Sequence, residues 1–260
     1  MAAVFAASAA SAQVGWYGAV DLGYHWPESM EATSSNNAPN GAPYSWDFNQ
    51  EEDWAGFARL GYQLNDNWRV ELEVGYRGGD IESIRGGPNN VILGLCTPGV
   101  TRTAAAPTCG PPNGDTSSWT VMGNLLYDFM PGSVINPFVG AGLGVNNVST
   151  DVTGQFSQVP LPFSATNPAF QNLSIDDDDT AFAWQLIAGL AWQATERLDV
   201  DLTYRYLGGS DVDFASRGTN ALQPGVFSGE YRDQSVTLGL RYSFAAPPPP
   251  PPPPRRSPPR

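Results

Sequence analysis

Eight segments of this 260-residue chain alternate apolar with polar residues, and nowhere is the chain apolar for the roughly 18 consecutive residues that a membrane helix needs. Only strands joined edge to edge could then carry it across a bilayer, because every backbone donor and acceptor must be satisfied there. Ser235–Phe244, SVTLGLRYSF, is the clearest segment. Val236, Leu238, Leu240, Tyr242 and Phe244 share one face, and Thr237, Gly239, Arg241 and Ser243 the other. Such a strand, apolar outward, polar or small inward and aromatic at its end, is the unit of a transmembrane β-barrel.

The other seven segments repeat the pattern. Trp16–His25 turns Asp21 inward, and Trp54–Leu64 sets Ala58, Leu60, Tyr62 and Leu64 against Arg59 and Gln63. From Trp68, the residues Trp68, Val70, Leu72, Val74 and Tyr76 alternate with Arg69, Glu71, Glu73, Gly75 and Arg77. Trp119–Phe129 carries Asp128 inward, and Ile135–Asn146 carries three inward glycines. A sixth strand covers 182–192, and a seventh covers 198–206 with Asp199, Asp201 and Arg205 inward. The pattern predicts an all-β fold, a closed eight-stranded antiparallel up-and-down transmembrane barrel.

The connections alternate in length. Segments 65–67, 130–134 and 195–197 are tight, whereas 26–53, 82–118, 147–179 and 209–230 are long. Short periplasmic turns and long external loops are the pattern of the outer membrane of a Gram-negative bacterium, and aromatic residues near both rims agree with it. An eight-stranded barrel leaves room inside only for side chains, so the inward charges predict a plugged polar lumen. Neighbouring strands would bring Arg59 near Asp21 and near Glu71 or Glu73, and Arg241 near Asp199 or Asp201.

Composition narrows the partners. A net charge of −13 and a pI near 4.3 exclude the basic face that nucleic acid requires. The mean hydropathy of −0.26 is what alternation produces, since each lipid-facing residue has a polar neighbour. Gly140-Ala141-Gly142-Leu143-Gly144 imitates a nucleotide loop but lies inside an alternating strand with no helix pattern after it, so no cofactor is expected. Cys96 and Cys109, the only cysteines, fall in one long loop facing an oxidising compartment, which predicts a disulfide. Asp176, Asp177, Asp178 and Asp179 at a loop base read as a solvated acidic run, divalent-cation binding being the alternative. His25, the single histidine, has no nucleophile patterned beside it, so it reads as a rim residue and the chain as no enzyme. Residues 1–12 read as a signal peptide ending at Ala10-Ser11-Ala12, residues 13–246 as the barrel, and residues 247–260, with the run Pro247–Pro254, as an extended linker.

Over roughly 14–244, the alternating strands and the terminal RYSF resemble the OmpA-type eight-stranded outer-membrane barrel. The resemblance implies a structural barrel that anchors external loops among outer-membrane lipid and lipopolysaccharide and supports the envelope. It implies recognition by the barrel assembly machinery through Leu240, Tyr242 and Phe244. It also implies that the proline-rich tail leads toward a peptidoglycan-binding domain, which would make a longer form a wall tether. A small-solute porin, or an adhesin or phage receptor acting through the loops, stays open as an alternative.

Overall fold

The computed structural model describes residues 14–87, 93–99, 109–157, 171–219 and 222–244; the segments read as signal peptide and linker lie outside these. Among the described residues there are thirteen strands and no helix. The strands are β1 (Gly15–Pro27), β2 (Met30–Asn37), β3 (Pro43–Gln50), β4 (Asp53–Gln63), β5 (Trp68–Gly86), β6 (Gly94–Cys96) and β7 (Asn113–Asp128). They continue with β8 (Ile135–Phe156), β9 (Asn172–Gln193), β10 (Leu198–Gly209), β11 (Asp211–Gly218), β12 (Val226–Glu230) and β13 (Asp233–Ser243). All pairings are antiparallel, and the order β1–β4–β5–β7–β8–β9–β10–β13 returns to β1.

The outward face of this circuit is apolar. Leu22, Leu143 and Leu238 are each 60% exposed or more, which water would not favour and a hydrocarbon surround would. Cross-strand aromatic pairs border the band. Trp16–Tyr62 and Trp68–Tyr127 lie toward the short turns, with ring centroids 5.2 and 5.0 Å apart; Tyr24–Trp54 and Tyr76–Trp119, both 4.8 Å apart, lie at the other rim. The short turns close by local side-chain bonds. Asn65 Oδ1 accepts the N–H groups of Asn67 and Trp68, both at 3.0 Å, and Gly132 takes a φ of 78° in the turn between β7 and β8.

Segments 26–53 and 209–230 differ from the loops expected of them, because they hold strands that prolong the circuit. β2 continues β1 and pairs with β12 and β3, just as β1 pairs with β13 and β4; β11 continues β10 beside β9, and β3 lies along β5. Hydrogen bonds bridge the short breaks: Glu28 N–H donates to the Arg232 carbonyl, Glu51 to Asp80, and Ser210 to Phe182, at 2.8–2.9 Å. β8 and β9 pass unbroken through both levels. Their twenty-two residues each extend roughly 70 Å at ~3.3 Å per residue, far beyond the 9–11 residues that cross a bilayer.

Polarity inverts between these two storeys. In the lower storey of β8, Leu143 and Val145 point outward; in the upper, Asn147, Ser149 and Asp151 take that face while Val148, Val152 and Phe156 point inward. The upper storey therefore has a core like that of a water-soluble barrel. Trp46 stacks on Phe227 with centroids 5.1 Å apart, and Tyr44, Phe48 and Phe156 surround the pair. Each fully buried large apolar side chain stabilises such a core by roughly 1.5–3 kcal/mol.

Candidate functional site

The lower lumen is filled by charge. Arg59, on β4, reaches Asp21 at 2.7 Å, Glu71 at 3.0 Å and Asp201 at 2.9 Å. Arg205, on β10, bonds Asp21 at 2.6 Å, Glu73 at 3.0 Å and the Thr237 hydroxyl at 2.8 Å. Arg69 grips Asp128 with two bonds of 2.8 and 3.0 Å, and Arg241 lies 3.1 Å from Asp199 and 3.3 Å from Asp201. Since Arg59–Asp201 and Arg205–Glu73 join strands that are not neighbours in the wall, the network spans the lumen. Phe57 lies between two guanidiniums, with Arg205 4.2 Å and Arg77 4.8 Å from its ring centroid.

All eleven lumen residues expected from the sequence lie in this network or at its edge, Arg77 through an ion pair of 2.9 Å to Asp233. Asp233 was not foreseen, nor were Tyr17 and Gln185. Tyr17 donates to Glu71 at 2.7 Å, and Gln185 donates to Glu73 at 2.9 Å and to Asn124 at 2.7 Å. Carrying the alternation of β13 two residues upstream from Ser235 would have found Asp233. His25 is not the rim residue expected. It is fully buried, with Nδ1 2.7 Å from Asp233 and Nε2 3.1 Å from the Gly78 carbonyl.

Inward glycines make the crowding possible. A Cβ on Gly239 would stand 1.8 Å from Asp21 Oδ1, and one on Gly61 would stand 2.1 Å from the Tyr17 ring. Gly239→Ala is expected to push Asp21 away from Arg59 and Arg205, lowering stability by about 1–3 kcal/mol in urea unfolding of the detergent-held protein. An unchanged midpoint would show that the network tolerates the displacement. At the short-turn mouth the network ends in a cavity of about 110 Å³ whose lining includes Tyr17, Asp128, Asn136 and Arg241.

The remaining expected residues are placed as follows. Cys96 and Cys109 are joined in a disulfide, and Arg85 clamps the ends of that loop by donating to the carbonyls of Leu95 and Cys109, both at 2.9 Å. Asp176–Asp179 lie within β9 rather than at a loop base, so successive carboxylates alternate in direction. Asp177 and Asp179 accept the backbone N–H groups of Ala215 and Asp213 at 2.8 and 2.9 Å, and so stitch β11 to β9. Among the described residues, no group of three or more His, Cys, Asp or Glu side chains could hold a metal ion. Asp80, Asp115, Asp151 and Asp176 stand in register on four adjacent strands, all exposed on the outer face. Leu240, Tyr242 and Phe244 are exposed on the apolar face of the last strand, where the Phe244 N–H donates to the Trp16 carbonyl at 2.9 Å. In the upper storey, burial pushes the phenols of Tyr44 and Tyr231 up, while the hydrogen bond from Arg232 holds the Glu230 carboxyl down.

A lipid-facing band over a charged lumen is the architecture of one protein class, and the model of the outer membrane protein beta-barrel domain matches residues 1–244. The chain belongs to this family. It is accordingly a protein of the outer membrane of a Gram-negative bacterium. An uncharacterized protein of Brucella suis is 26% identical over 255 residues, spanning 90% of this chain and 86% of the relative. OprG of Pseudomonas aeruginosa is similar in fold, with a TM-score of 0.51 and 15% identity over 90% of this chain and 99% of its own. Neisserial surface protein A matches with a TM-score of 0.45 and 17% identity, covering 88% and 97% of the two chains.

Proposed function

We propose that this family member is a structural, non-conducting anchor, an OmpA-type barrel of eight staves that displays its upper storey outside the cell. The short turns would face the periplasm, and the aromatic belts would lie among outer-membrane lipid and lipopolysaccharide. The observation that carries this reading is the double closure of the lumen, with charges linked across it below and an apolar aromatic core above. A solute entering from either end meets packed side chains. No catalytic role is proposed.

Leu240, Tyr242 and Phe244 would serve as the signal read by the barrel assembly machinery. Residues 247–260 would lead the chain toward peptidoglycan, so that a longer form would act as a wall tether. The test of the anchor reading is conductance. Purified protein reconstituted in planar bilayers is expected to give no steady current. Large, stable single-channel steps would replace the anchor with the small-solute porin.

A further inference from the structure

The geometry points to His25 as a buried imidazolium, the sixth cation of the lumen and a proton-dependent latch where the two storeys meet. Two independent observations support this. The first is hydrogen-bond direction. Nε2 faces the Gly78 carbonyl at 3.1 Å, which can only accept, so Nε2 must carry a proton. Nδ1 faces Asp233 Oδ2 at 2.7 Å, while Arg77 Nε stands 2.9 Å from the other oxygen of that carboxyl as its counter-ion. An ionised carboxylate also only accepts, so Nδ1 must donate as well.

The second observation is charge balance. Among the described residues, the buried lumen holds six carboxylates, Asp21, Glu71, Glu73, Asp128, Asp201 and Asp233, against five guanidiniums, Arg59, Arg69, Arg77, Arg205 and Arg241; Asp199, beside Arg241 at the short-turn mouth, is partly exposed and stands outside this count. Buried charges persist when they are compensated, and His25 is the one buried side chain left that can supply the sixth positive charge.

The latch joins three strands, since His25 is on β1, Asp233 on β13 and Gly78 on β5, beyond the intervening β4. The other titratable or charged groups around it are Asp53 opposite on β4, Arg77 on β5, Arg205 across Ser235 on β10, and Tyr231 just before β13. Asp53 is exposed and accepts the Trp54 N–H; Arg205 is committed to Asp21 and Glu73; burial keeps the Tyr231 phenol protonated. Removing the second ring proton takes away one donor and leaves one carboxylate uncompensated, so stability should fall as pH rises.

Because His25 is the only histidine, labelling histidine with ¹⁵N reports on this site without assignment. In the full-length protein in detergent at neutral pH, both ring nitrogens are expected in the protonated range. One unprotonated nitrogen would overturn the proposal. A second measurement uses His25→Gln and His25→Gln/Asp233→Asn. The double variant is expected to unfold at a higher temperature than the single, since it restores balance, and both should lose the wild type's decline with rising pH. A double variant no more stable than the single would also overturn it.

Discussion

Arg59→Ala should lower the unfolding free energy of the protein by about 3–5 kcal/mol, read as a large drop in the urea midpoint in detergent or lipid. The reason is the company that this guanidinium keeps. Asp21, Glu71 and Asp201 all bond to it, each almost wholly removed from solvent, and its loss leaves carboxylates facing one another in the lumen. Arg205 would still hold Asp21 and Arg241 would still hold Asp201, but Glu71 would keep only the longer contact of 3.4 Å to Arg69 and the Tyr17 hydroxyl. The control is Arg217→Ala, on the exposed face of β11, where a surface change should stay within about 0.5 kcal/mol. Equal effects at the two sites would mean that water reaches the lumen freely, and the anchor reading would fall with the plug.

Trp46→Ala is expected to be as costly, about 3–5 kcal/mol, but in a different place. Trp46 is fully buried against Tyr44, Phe156 and Phe227, and alanine would leave a cavity that the surrounding strands cannot close without giving up their pairings. The lower storey has its own fastening in the charge network. Limited proteolysis of the purified variant should therefore cut the upper storey and spare residues between the aromatic belts. Cleavage spread through both storeys would show that they unfold as one unit.

The lower storey was legible because lipid imposes a single phase on every strand. Once Leu238 and Leu240 are placed outward, Gly239 and Arg241 must face in, and the same parity placed Asp21, Arg59 and Glu73. The upper storey obeys the same period with the phase reversed. Tyr44, Trp46 and Phe48 alternate with Ser45, Asp47 and Asn49, and Val212 and Phe214 with Asp211 and Asp213, yet alternation alone does not say which face is inside. Reading these segments as loops followed from carrying the lipid rule past the rim, where water makes the opposite choice. His25 was illegible for another reason. Its partner Asp233 lies 208 residues away, brought alongside only when the last strand closes on the first. The acidic run in β9 was misplaced rather than misjudged: its carboxylates are solvent-exposed in part or in full, but it lies within a strand, where Asp177 and Asp179 also supply acceptors to a neighbouring strand.

The β8–β9 hairpin keeps one register from Ile135–Trp192 to Gln155–Asn172, through the membrane and out beyond it. A pull on its outer tip, from an attached surface or from flow, would run down the two strands together and load in shear the ladders that join β8 to β7 and β9 to β10. The hydrogen bonds of those ladders would then share the tension rather than open one after another. The hairpin would act as a mast stepped in the membrane, and a load at its head would reach the wall of the barrel without first bending a hinge.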